Sequence, residues 1–231
     1  LERYLDDPER VEKPARSWKM KLDFHEPQHV GQDVLRLEDL AAGYDAQRPL
    51  LKDLNMVIQG GRRVVLSGPN GSGKTTLLRT IAGHIRPLSG RVHLGSGVKL
   101  GYMTQEQTML NPQLSALDMI QRAKPVDETT ARSFLHYFLF SGDDPLRPSE
   151  ELSYGERARL ALALLVARGS NFLLLDEPIN HLDIPSRNRF EEALSHFEGT
   201  VLAVVHDRYF IDAFATDIWT INGAEIRRAI V

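Results

Sequence analysis

The run GPNGSGKTT, Gly68 to Thr76, assembles residues suited to holding a chain of phosphates. It fits G-x-x-x-x-G-K followed by Ser or Thr, and it sits between a strand-like run, RRVVLSG, and a helix-patterned one, KTTLLRTIAG. Gly68, Gly71 and Gly73, with Asn70 and Ser72 among them, let backbone N–H groups turn inward, and the start of the helix adds its positive end. Lys74 can reach the outer phosphates, Thr75 can offer a hydroxyl to Mg²⁺, and Thr76 shares the same first turn. A glycine-rich turn with no ligand is the bland alternative. The preceding strand, the spacing and the Lys-Thr pair all argue against it.

A second set of residues supplies acid–base chemistry. FLLLDEP ends an apolar run on Asp176 and Glu177, and in open α/β sheets ligands sit at the carboxyl ends of strands. Asp176 fits a second-sphere partner of Mg²⁺, and Glu177 fits a general base that polarises water for attack on a terminal phosphate. An Asp-Glu pair alone is commonly a surface feature; next to a phosphate loop it becomes a catalytic candidate. VLAVVHD places His206 at the end of another apolar run, where it can donate to the terminal phosphate or hold the water. Gln105, after VKLGYM, can ligand or sense the metal, and Tyr44 can stack on a base. Each of these three, taken singly, is more often structural or a plain loop residue.

LSYGE, Leu152 to Glu156, admits two readings. Ser153 and Gly155 can offer a hydroxyl and an N–H to a phosphate, while Glu156, three residues after Ser153, completes a helix capping box. The readings are compatible, because a capped helix starting near Tyr154 still has free N–H groups in its first turn.

Converging these residues requires strands whose ends line up. VLRLEDLAAGY and LNMVIQ alternate like half-buried strands, whereas RRVVLSG, NFLLLD and TVLAVV are continuous apolar runs. GRVHLGSGVKLGYM looks like two short strands around a Gly-Ser-Gly turn, and DIWTING with EIRRAIV closes as a hairpin over Asn222-Gly223. Helices are expected from Lys74 with Gly83 as its cap, from Ser115, from near Asp127, across ERARLALALLVARG, and across PSRNRFEEALSHF. Buried strands alternating with helices predict a mostly parallel sheet covered on both faces. An antiparallel β lobe and a helical lobe are expected beside it.

Composition narrows the class. The 231 residues are ample for a buried core, with 42% hydrophobic and 26% charged residues. A net charge of −3 gives no whole-chain argument for a polyanion partner, though a local basic patch stays open. There is no cysteine, which excludes disulfides, thiolate zinc and a cysteine nucleophile, and fits the cytosol. LALALLVA and FLLL are too short to span a bilayer. Residues 1–30 are charged and carry Pro8, Pro14 and Pro27, the pattern of a linker or arm. The chain opens on Leu1 rather than Met, as a fragment or processed chain would.

In this order, Tyr44, the phosphate loop, Gln105, LSYGE, LLLDEP, the NHLD of 180–183 and His206 resemble the nucleotide-binding domain of the ABC ATPases. The resemblance runs from about residue 34 to the end. It implies an α/β P-loop NTPase of ABC type, with the signature LSYGE on a helical lobe at about 106–168 within a domain over 31–231. It implies ATP and Mg²⁺ as cofactors and ATP hydrolysis as the reaction. Glu177, His206 and Lys74 would be catalytic, and Thr75, Gln105 and Asp176 would serve the metal. Tyr44, the loop residues, Ser153, Gly155, Glu156 and Asp183 would contact nucleotide. DEPINHLDIPSR and HDRYFI further resemble the ABC-F group, which has two ABC domains in one chain and no membrane domain. Known members act on ribosomes as translation factors or antibiotic-resistance proteins, with an interdomain linker reaching toward the peptidyl-transferase region. On this likeness the chain is a C-terminal piece: the end of the linker and the second ABC domain.

The implied partners are a second ABC domain, from the N-terminal half or a head-to-tail second copy, and the ribosome with its RNA. The isolated domain is then expected to hydrolyse ATP poorly. Tyr154, Ile179 and Val205 depart from the usual Gly, Thr and Ser of the family pattern. The rival readings are the ATPase subunit of a membrane transporter and a nucleotide-gated clamp in which binding does the work.

Overall fold

A computed structural model describes residues 33–107 and 109–231. The expected arm at 1–30 lies outside the described residues. The chain forms β1 (Asp33–Ala42), β2 (Leu51–Gln59), β3 (Arg63–Ser67), α1 (Lys74–Ile81), β4 (Ser89–Leu94) and β5 (Leu100–Met103). There follow α2 (Ala116–Ala123), α3 (Glu128–Tyr137), α4 (Tyr154–Ala167), β6 (Phe172–Asp176), α5 (Ile184–Ser195), β7 (Thr200–Val204), α6 (Arg208–Phe214), β8 (Asp217–Asn222) and β9 (Glu225–Ile230).

The main sheet is six-stranded in the order β5-β6-β7-β3-β8-β9, parallel except for the antiparallel β8–β9 pair. Its continuous apolar runs are explained by two cores, one on each face. Phe172 and Leu174 of β6, with Leu202 and Val204 of β7, face a core closed by α1, β1 and β2. Leu173 and Leu175, with Val201 and Ala203, face the other core, closed by α2 to α6. Strand side chains alternate between faces, so a strand buried on both shows no polar position.

A three-stranded antiparallel sheet, β2-β1-β4, packs beside it. Here the two strands expected around the Gly-Ser-Gly turn part company. β4 joins β1, and β5 joins β6 in the main sheet. The closing hairpin is offset by one residue from the expected turn. Asn222 still pairs with Glu225, so the turn residues are Gly223 and Ala224, with Gly223 at φ 65°.

Helix caps match their sequence signals. Ser115 and Asp127 cap α2 and α3, and the Ser153 hydroxyl accepts from the Glu156 N–H while the Glu156 carboxylate accepts from the Ser153 N–H. Gly83, at φ 77°, follows α1 in the left-handed conformation and donates to Thr80. Among the described residues no helix is long and apolar enough to cross a membrane.

Candidate nucleotide site

Parallel register builds the site. Leu66 of β3 lies beside Val204 of β7, and Val204 lies beside Asp176 of β6. The loops leaving the carboxyl ends of three adjacent strands therefore meet: the phosphate loop, the Asp176–Glu177 turn and the His206 loop. Between them is an open cleft of about 630 Å³. Asn70, Gly71, Gly73, Lys74, Thr75, Thr76, Glu177 and His206 line it, together with Asn180, the first residue of NHLD, and Leu50, which the sequence did not single out.

The loop has the form its glycines allow. Gly71 and Gly73 sit at φ 78° and 100°, and Gly73 is the N-cap of α1 without a side-chain cap, which leaves the helix start free for an anion. Lys74 Nζ donates to the Gly68 and Pro69 carbonyls at 2.9 and 2.8 Å, arching over the loop. Burial lowers the Lys74 pKa, and the nearby Glu177 and Asp176 carboxylates oppose that shift. Ser72 Oγ is buried without a hydrogen-bond partner inside the loop, a hydroxyl donor available to a phosphate oxygen.

Asp176 is buried at the end of β6. Its Oδ1 accepts from Thr75 Oγ1 at 3.1 Å and its Oδ2 from Tyr102 Oη at 3.2 Å. Burial raises the Asp176 pKa, opposed by those two hydroxyls. A hydroxyl and a carboxylate side by side at a phosphate loop fit Mg²⁺, which takes one or two protein oxygens plus substrate phosphates rather than a protein cage. Among the described residues no three His, Asp or Glu side chains gather into such a cage.

Glu177 is held differently. Its backbone is left-handed at φ 51°, which turns the chain back so that Asn180 N donates to the Glu177 carbonyl at 3.1 Å. The Asn180 side-chain amide then donates to Glu177 Oε2 at 2.7 Å. His206 Nε2 stands 3.8 Å from Glu177 Oε1, beyond hydrogen-bond length. The following residue, Asp207, caps α6 and forms an ion pair with Arg187 of α5, which fixes the His206 loop against α5.

The remaining candidates lie apart from the cleft lining. Tyr44 is 69% exposed, with its hydroxyl beside Arg79. Gln105 is exposed, and its carbonyl accepts from the Tyr154 hydroxyl at 2.8 Å. Ser153 and Glu156 are engaged in the α4 cap, and Glu156 also pairs with Arg147 at 2.8 Å. A Cβ on Gly155 would stand 2.7 Å from Ser186 Cβ, so this glycine lets the first turns of α4 and α5 touch. Asp183 caps α5 through the Ser186 N–H at 3.1 Å.

A phosphate loop at the end of β3, facing an Asp-Glu pair at the end of β6 across a mostly parallel sheet, defines a P-loop nucleotide-binding domain. The chain belongs to the ABC transporter family, whose profile matches residues 51–180. It is 45% identical over 197 residues to YdiF of Bacillus subtilis (strain 168), covering 85% of this chain and 31% of that protein. It is 38% identical over 241 residues to the energy-dependent translational throttle protein EttA of Mycobacterium tuberculosis (strain CDC 1551 / Oshkosh), covering 99% of this chain and 42% of EttA. The chain thus spans less than half the length of these relatives. These relatives support the ABC-F likeness seen in NHLD and HDRYF. The ATP-binding cassette MJ0796, solved as a dimer in a post-hydrolysis state with ADP and phosphate, has the same fold (TM-score 0.71, 23% identity, 85% of this chain and 98% of that one).

Proposed function

We propose that this chain is an ATP-hydrolysing ABC domain of an ABC-F protein that closes on a second ABC domain when ATP binds and acts on the ribosome, in translation or in antibiotic resistance. The observation that carries the hydrolytic part is the pairing of Thr75 with Asp176 in the cleft that Glu177 also lines. In this reading Lys74 and the loop N–H groups hold the phosphates. Thr75 and Asp176 would hold Mg²⁺, which would neutralise phosphate charge. Glu177, oriented by Asn180, takes the proton from the attacking water, and His206 steadies the water or the terminal phosphate. The first turn of α4, with Ser153 and Gly155, faces the ATP of the partner domain. One chain therefore carries two half-sites, and the isolated domain turns over slowly.

The ribosomal part rests on the likeness to EttA, whose name ties that protein to translation. On this reading the domain works in the cytoplasm, without a membrane partner. The test is Glu177→Gln, which keeps the site's shape and removes the base. With ATP, the variant protein carrying both ABC domains is expected to sediment with ribosomes and to remain bound. Recovery with membranes instead would overturn the ribosomal reading, and undiminished ATP turnover in Glu177→Gln would overturn the catalytic one.

A further inference from the structure

Tyr102 is the third residue of β5, and parallel pairing sets it beside Leu174, two residues before Asp176. Its hydroxyl donates to Asp176 Oδ2 at 3.2 Å, while Thr75 Oγ1 donates to Oδ1 at 3.1 Å. Each oxygen of a buried carboxylate is thus held by a hydroxyl from a different element, 74 and 101 residues away in sequence. Two side chains border the ring. His84 meets it edge-on with centroids 5.4 Å apart, and the Arg79 guanidinium lies beside its hydroxyl.

A carboxylate held through one oxygen can still rotate about its terminal torsion, which is broad and roughly two-fold. A second donor on the other oxygen fixes its plane. Thr75 belongs to the nucleotide loop and would be drawn to the metal when nucleotide binds. Tyr102 belongs to the sheet and stays. We propose that Tyr102 is a positioning residue that sets the plane of the Asp176 carboxylate and thereby the strength with which Mg²⁺ tightens nucleotide binding. This rests on the reading of Asp176 as a Mg²⁺ partner. Groups that orient a metal ligand are themselves worth about 10- to 100-fold in metal affinity or activity.

The test is Tyr102→Phe, which removes one O–H and keeps the ring. The affinity of the chain for a fluorescent ATP analogue carrying an N-methylanthraniloyl group is measured in EDTA and again in excess Mg²⁺. The variant is expected to match the wild type in EDTA, and its affinity in excess Mg²⁺ is expected to fall about tenfold. His84→Ala removes the ring-edge contact but keeps the hydroxyl, and is expected to leave the ratio of the two affinities unchanged. An unchanged ratio in Tyr102→Phe, or an equal fall in His84→Ala, overturns the proposal. Failure of the wild type to bind the analogue in excess Mg²⁺ overturns the ATP reading instead.

Discussion

The Tyr154 hydroxyl donates to the Gln105 carbonyl at 2.8 Å, tying the first turn of α4 to the loop that leaves β5. The same ring meets His181 edge-on at 6.4 Å, and Arg157 lies over it at 5.8 Å. The side chain that replaces the usual glycine of the signature therefore bridges to the loops after β5 and β6. Tyr154→Phe removes only the hydroxyl bond and is expected to cost about 1 kcal/mol, seen as a fall of about 2–4 °C in the unfolding midpoint of a domain this size. Tyr154→Gly is expected to cost more stability while preserving or raising ATP turnover of the paired domains. Lost turnover with intact nucleotide binding would mean that the bridge is required for closure.

Gly155 is predicted to be intolerant of the smallest side chain. An alanine Cβ would meet Ser186 Cβ at 2.7 Å, closer than real contacts allow, and the neighbour is the rigid first turn of α5. Overpacking of this kind costs about 1–3 kcal/mol. Denaturant unfolding of Gly155→Ala should show that loss, and Ser186→Gly added to it should restore part of the loss because it removes the opposing atom. A neutral Gly155→Ala would show that α4 and α5 can slide.

These residues also show where sequence is informative and where it is not. The phosphate loop, the Ser153 cap and the strand-end Asp-Glu pair are local patterns whose geometry follows from spacing alone. Tyr102 carries no such mark. It reaches Asp176 only because β5 joins the main sheet beside β6, and GRVHLGSGVKLGYM reads the same whether its two strands share a sheet or part. Asn180 was visible as part of NHLD, but its bond to Glu177 depends on Glu177 taking φ 51°, a conformation uncommon for a residue with a side chain. The short helix α6, Arg208–Phe214, has its signal in Asp207, whose carboxylate accepts from the Phe210 N–H at 2.9 Å.

Asn180 leads to a kinetic prediction. Its amide donates to Glu177 Oε2 at 2.7 Å, and a hydrogen bond to a charged group is worth about 1.5–3 kcal/mol. Asn180→Ala leaves Glu177 in place but free to turn. Turnover by the paired domains is expected to fall about tenfold or more, with nucleotide affinity in EDTA unchanged. An equal loss of nucleotide affinity would assign Asn180 to binding instead.

The Glu156 carboxylate couples the α4 cap to acid stability. Burial pushes its pKa up, but hydrogen bonds from Ser153 and the Arg147 guanidinium outweigh this and hold it below the usual value. A group with a depressed folded pKa contributes stability that is complete above its unfolded pKa, about 4.3 for Glu, and is lost as pH falls through the folded value. Unfolding free energy should therefore decline from about pH 5 downward, partly through Glu156. Glu156→Gln keeps a neutral acceptor for the Ser153 N–H and removes the titration. It should lose a cap contribution of about 1 kcal/mol near neutral pH, and the gap between variant and wild type should close as pH approaches 3. The Arg147–Glu156 pair is partly exposed, so the gap should also shrink in high salt. A gap that stays constant from pH 7 to 3 would show that the cap works through shape alone and that the Arg147 pair contributes nothing.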